Sequence, residues 1–214
     1  MIQNNINKGI YYKEPINVSK NANMSLYFPP TKNMNKLKIT NVGIYSVSKP
    51  VDAEWITEKI IENVDNPKKL VITDGTASVG GNTISFSKFF KSVNSIEMSK
   101  IHSDILKNNI DVYNLKNINI INGDSLEEIP KLKQDIVFLD APWSGVKYKK
   151  QKNLKLYMSG KILNAIVNDF FNYATTIVLK VPYNFDYGHF ITNVNTEKII
   201  IYKALKFRLI IIKK

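Results

Sequence analysis

Six consecutive residues, Asp140-Ala141-Pro142-Trp143-Ser144-Gly145, hold the groups needed to alkylate a planar amine. The Asp140 side chain and a backbone carbonyl accept the amine's N–H bonds, while the indole of Trp143 stacks on the base. A neutral exocyclic amine has its lone pair delocalised into the ring, so acceptors that favour a pyramidal nitrogen lower the barrier to attack on a methyl sulfonium. No strong general base is obligatory. On this reading Asp140, Ala141, Pro142 and Trp143 are catalytic, and Trp143 and Ser144 touch substrate. The plainer alternative is that Asp140 caps a turn and Trp143 fills a gap in the core.

A donor site is written upstream in VITDGTASVGGNTISF, Val71 to Phe86. An apolar strand ends at Asp74, a loop carrying Gly75, Thr76, Gly80 and Gly81 follows, and Asn82 or Thr83 is expected to begin a helix. Strand, glycine turn and helix together let backbone amides approach a ligand at the open end of a parallel sheet. Glycines alone would only make a tight turn. One βαβ step later Glu97 ends the next strand, where an acid accepts hydrogen bonds from ribose hydroxyls. The third strand ends in Gly123-Asp124-Ser125, and an acid at that edge suits an adenine amino group. Loop, ribose acid and adenine-edge acid thus occur in the order an S-adenosylmethionine site requires, and that cofactor is expected. No GK[ST] follows the glycines, which disfavours ATP. A dinucleotide remains open but leaves Asp140–Trp143 unexplained.

These residues need a sheet to align them. Candidate strands at 69–74, 93–98, 118–123, 135–140 and 175–182 alternate with helix-like stretches at about 83–91, 100–110, 125–131 and 160–172. Continuous apolar runs such as IVFL suit strands covered on both faces. A preceding amphipathic helix within 51–64 has Asp52 as its expected N-cap. Residues 197–205 and 206–214 read as two strands in an antiparallel pair. The expectation is an α/β, Rossmann-like class I methyltransferase fold with a mostly parallel seven-stranded sheet. Residues 41–214 would form this domain, and residues 1–40, rich in Asn and Lys and broken by Pro15, Pro29 and Pro30, an irregular arm or cover.

The formal net charge is +12, from 30 basic and 18 acidic residues, so the surface attracts polyanions. Arg208 is the single arginine. Lysine supplies point charge rather than bidentate recognition, which fits phosphate-backbone binding better than sequence reading. An AT-rich genome would produce the same bias in composition, but the field is physical either way. The absence of cysteine excludes thiolate catalysis and cysteine–metal sites, and with only His102 and His189 no metal is expected. No apolar run is long enough to span a bilayer and no signal peptide is visible, so an intracellular, membrane-free monomer acting on RNA is expected.

With these motifs the sequence resembles the trimethylguanosine synthase family, which methylates the 2-amino nitrogen of the 7-methylguanosine cap on RNA. The resemblance covers about residues 43–190. IYSVSKPVDAEWITEKI is similar to the family's helix entry, SVGGNTISFSKFF to its glycine loop, Glu97 and Asp124 to its cofactor acids, and APWSG to its proline-tryptophan-glycine motif. VPYNFD (181–186) is similar to its proline-asparagine segment, which implies substrate contacts by Pro182 and Asn184. The resemblance also implies that Trp143 stacks on the cationic guanine of capped RNA, a contact worth about 0.5 to 2 kcal/mol. The chain departs from the family with TAS in place of a cysteine in the glycine loop, Asp140-Ala141 in place of Ser-Pro, and Ser144 in place of a glycine. An Asp-started motif keeps adenine-N6 methylation open. Asp140 and Lys180 on consecutive sheet ends keep ribose 2′-O methylation open, although no acid follows Glu197 to complete a tetrad. A catalytically silent RNA-binding subunit is the alternative from another class.

Overall fold

The computed structural model describes residues 16–19, 21–143 and 145–214; Ser144 and Pro15 lie outside the described residues. Seven strands form one sheet in the order β3-β2-β1-β4-β7-β9-β8. They are β1 (Val71–Asp74), β2 (Ser92–Glu97), β3 (Ile118–Asn122), β4 (Ile136–Leu139), β7 (Thr176–Pro182), β8 (Lys198–Lys203) and β9 (Phe207–Lys213). A separate hairpin pairs β5 (Tyr157–Met158) with β6 (Lys161–Ile162). In the main sheet β9 alone runs against its neighbours, inserted between β7 and β8. The expected α/β fold with its antiparallel end is what forms.

Alternation along the buried strands divides the core. Val137 and Leu139 of β4, Ile177, Leu179 and Val181 of β7, and Ile210 and Ile212 of β9 face one side, where Leu163, Ile166, Val167 and Phe170 of the helix Leu163–Phe170 cover them. Ile136, Phe138, Val178, Leu209 and Ile211 face the other and meet Ile56 and Ile60 of the helix Pro50–Ile61, with Phe86 and Phe90. Strands apolar on both faces are the parallel-sheet pattern.

Within residues 16–40, short 3-10 turns at Met24–Leu26 and Met34–Lys36 carry no regular strand, yet Phe28, Leu37 and Ile39 are buried. They pack with Ile84, Ile105, Leu106 and Ile110 beneath the helix Lys100–Val112. The side chain of Asn109 fixes this segment, accepting from Lys38 N and donating to Lys38 O, each at 2.9 Å.

Several local expectations are corrected. Asp52 does not cap its helix: Pro50, with φ preset and no N–H to lose, starts it one turn earlier, and Asp52 sits in the first turn. The helix after the glycine loop begins at Gly81, before Asn82, and ends at Ser87. Lys69 belongs to a 3-10 turn rather than to β1. The stretch 125–131 is a short helix, Ser125–Glu128, that tightens to 3-10 at Ile129–Lys131, where Pro130 lacks the N–H an α-helix would use. Residues 160–162 turn in a hairpin, with Ser159 and Gly160 both at positive φ, so the next helix starts only at Leu163.

Candidate active site

The strand order reverses between β1 and β4, so their carboxyl ends open a crevice of the kind in which open α/β sheets bind ligands. Asp74 ends β1 on one side and Asp140 follows β4 on the other. The two loops are stitched together. Gly75 N donates to Phe138 O at 2.9 Å and Asp140 N donates to Thr76 Oγ1 at 2.8 Å. Ser125 Oγ donates to Gly75 O, joining the loop after β3 to the same point.

Close approach governs the glycine loop. Gly80 has φ of 105°, a conformation that side chains resist. A Cβ on Gly81 would lie 2.5 Å from Ser48 O, so only glycine lets the helix start abut the segment before Pro50. Next to this cradle, Ser78 Oγ and Asn82 Oδ1 are buried with no hydrogen-bond partner. Polar atoms are rarely left that way unless a ligand or water completes them.

Asp74 is fully buried. Thr83 Oγ1 donates to its Oδ2 at 2.7 Å and Thr76 N to its Oδ1 at 3.3 Å. Burial nonetheless outweighs these bonds and pushes the carboxyl up to about 7. An acid raised in the folded state stabilises the fold below its unfolded pKa, near 4, and loses that contribution as pH climbs through about 7. Asp74→Asn is therefore expected to abolish a stability decline of up to about 4 kcal/mol between pH 4 and pH 8. Urea denaturation of both proteins across that range tests it; parallel pH curves would refute it.

Glu97 is held by two backbone amides, Ser78 N to Oε2 at 2.8 Å and Ser99 N to Oε1 at 2.7 Å. Each oxygen keeps a second lone pair, so the carboxylate is oriented and still able to accept from a diol. Asp124 caps its short helix by accepting from Leu126 N at 2.9 Å, and its other oxygen accepts from Ser159 Oγ at the hairpin tip. Acids at the ends of β1, β2 and β3 thus line the glycine loop, and with the orphaned polar atoms they fit a nucleoside-bearing group.

At the opposite wall Lys180 Nζ lies 2.6 Å from Asp140 Oδ2 and 3.0 Å from Ser48 Oγ. Burial raises Asp140's pKa, and the Lys180 ammonium pulls the other way. The ammonium also stands 5.5 Å from the Trp143 ring centre and 5.3 Å from that of Phe207. Trp143 is half-buried, packs on both faces' cores and meets Tyr148 edge-on at 5.3 Å. Its buried Nε1–H leans toward Asp140 without reaching hydrogen-bond geometry. Ala141 is buried beneath the motif. Pro182 is buried at the end of β7, paired with Phe207. The Asn184 amide donates to Tyr148 O and Gln151 O, both at 2.7 Å, and leaves its buried Oδ1 without a partner.

Sequence reasoning raised Lys180 only for the ribose 2′-O alternative, beside Asp140 on consecutive sheet ends, and left Ser48 and Ser159 out of the site. Lys180 carried one signal: it interrupts the apolar run TIVLKVP, and a lysine in a buried strand needs a partner.

The model of the RNA cap guanine-N2 methyltransferase family matches residues 69–206. An uncharacterized protein of Acanthamoeba polyphaga mimivirus is 33% identical over 216 residues, covering 88% of this chain and 84% of the relative. Among solved structures, the T. thermophilus 16S rRNA N2 methyltransferase in complex with AdoMet and guanosine superposes with a TM-score of 0.63 at 16% identity. It matches 80% of this chain, which spans only 45% of that longer protein. A precorrin methyltransferase of Geobacter metallireducens gives a TM-score of 0.58 at 14% identity over 79% of this chain and 92% of its own. Likeness at that level establishes the fold, and one fold serves many substrates. Among the described residues no helix is long and apolar enough to cross a membrane.

Proposed function

The chain belongs to the RNA cap guanine-N2 methyltransferase family, and from that premise we propose that it methylates the 2-amino nitrogen of the 7-methylguanosine cap of RNA, using S-adenosylmethionine. The observation that carries the reading is the Asp140 carboxylate, held by buried Lys180 beside the half-buried face of Trp143.

The cofactor supplies an electrophilic methyl on a sulfonium. Glu97 would accept the ribose hydroxyls, Asp124 and Ser125 would bound the adenine edge, and the loop Gly75–Gly81, with Thr76, Asn82 and Thr83, would admit the methionine end, near Asp74. Trp143 stacks on the guanine, and the free Oδ1 of Asp140 accepts an N–H of the 2-amino group. That bond draws electron density onto the nitrogen and holds its lone pair toward the methyl. Asp140 would accept the proton that the 2-amino nitrogen sheds on methylation, or pass it to water. Pro182 and Asn184 shape the substrate side through the turn after β7.

With 7-methylguanosine-capped RNA the expected product is N2-methylated cap, and GpppN ends react poorly. Digestion and mass spectrometry of the modified nucleoside test this; a methyl on internal adenine would reject it. The Asp140–Lys180 contact at 2.6 Å also favours a second reading, ribose 2′-O methylation. The same digest separates the two, because only that product resists alkaline cleavage at the modified nucleotide.

A further inference from the structure

Half of the formal net charge of +12 falls within residues 141–168, which hold six lysines and no acid. Lys161 pairs with Asp169 outside that stretch. Lys149, Lys150, Lys152 and Lys155 are exposed and form no ion pair among the described residues. Their backbone is nonetheless well held. Asn184 Nδ2 grips the carbonyls of Tyr148 and Gln151, Leu154 N donates to Asn184 O at 2.8 Å, and Asp186 N donates to Leu154 O at 2.9 Å. The segment is also tied to the site at both ends. Tyr148 packs against Trp143 where it begins, and Ser159 bonds to Asp124 just beyond its end.

Like charges concentrated on a held segment repel one another until a polyanion neutralises them. Lysines read phosphate charge rather than base identity, so this surface suits the backbone of any RNA sequence. We propose that residues 149–155 form a phosphate-binding rail that receives the RNA chain running from the nucleotide held at Trp143. The proposal rests on the functional reading above only for which nucleotide occupies that pocket.

The test replaces all four lysines by glutamine (K149Q, K150Q, K152Q, K155Q) in the full chain. Binding of an uncapped 5′-triphosphate single-stranded RNA is followed by fluorescence anisotropy over a salt series. Each phosphate contact contributes roughly 0.7 to the log–log salt slope on single strands, so the variant's slope is expected to flatten by up to about 3. KM for capped RNA rises toward that for a cap dinucleotide, with kcat and S-adenosylmethionine binding unchanged. An unchanged salt slope and KM would overturn the rail and leave the lysines to a partner other than RNA. If no cap is methylated but the slope still flattens, the rail stands and the cap assignment falls.

Discussion

Lys180→Met is expected to lower kcat by about 100-fold at neutral pH while leaving cofactor affinity intact. The ammonium, 2.6 Å away, is the main group that opposes the effect of burial on Asp140, with the Trp143 side chain contributing less. Without it the carboxyl pKa climbs further, and the acid limb of the pH–rate profile moves to higher pH. Activity should partly recover in alkaline buffer, since the ionised carboxylate is the form that accepts the amine N–H bond. Removing one such preorganised electrostatic contact costs about 10²–10³ in rate. The fold is also weakened, because a buried carboxylate left without its partner is destabilising by about 3–5 kcal/mol. Lys180→Met combined with Asp140→Asn leaves no buried charge and should regain stability without regaining activity. A pH–rate profile whose acid limb does not move would show that Lys180 only packs.

Trp143→Ala is expected to lose substrate while keeping cofactor. Stacking on a single base is worth about 1–3 kcal/mol by alanine substitution, which corresponds to roughly 5- to 150-fold in affinity. The cationic 7-methylguanine should lose more than guanine, because the aromatic face attracts positive charge. Calorimetry with a 7-methylguanosine cap analogue, with its unmethylated counterpart and with S-adenosylmethionine separates these effects. Trp143 also joins the cores on the two faces of the sheet and meets Tyr148 edge-on, so loss of cofactor binding along with the cap analogue would assign the ring to structure. Lys180 already sits 5.5 Å from the ring centre, and its charge there is balanced by Asp140 rather than left to repel a cationic base.

Lys180→Met and Trp143→Ala test one arrangement from two sides. If both behave as expected, Lys180 is a positioning residue acting through Asp140, and Trp143 is the contact that selects the base. The 3-10 segment Gly145–Lys150 then carries the motif directly into the lysine-rich rail. Base, methyl acceptor and RNA backbone would be received by one continuous stretch of chain.

How much was legible beforehand depended on how local the signal was. The five parallel strands, the glycine turn after Asp74 and the acids at Glu97 and Asp124 could be read from sequence, because apolar runs and turn residues act over a few positions. Asp52 misled because Pro50, two residues earlier, is the stronger start signal. The β5–β6 hairpin was missed because its strands are only two residues long and lie against a helix pattern. The 40 residues that separate Asp140 from Lys180, and the 33 that separate Gly81 from Ser48, put those contacts beyond any local pattern.

From its sequence alone the chain is an α/β domain with a nucleoside-type glycine loop and an Asp-Ala-Pro-Trp motif at a strand end, since strand periodicity and turn chemistry are properties of neighbouring residues. Only the tertiary structure decided that Asp140 is ion-paired, that Asp74 is buried enough to titrate near neutrality, and that Asn184 grips the lysine-rich segment. Pairing, burial and desolvation depend on which residues the sheet order brings side by side.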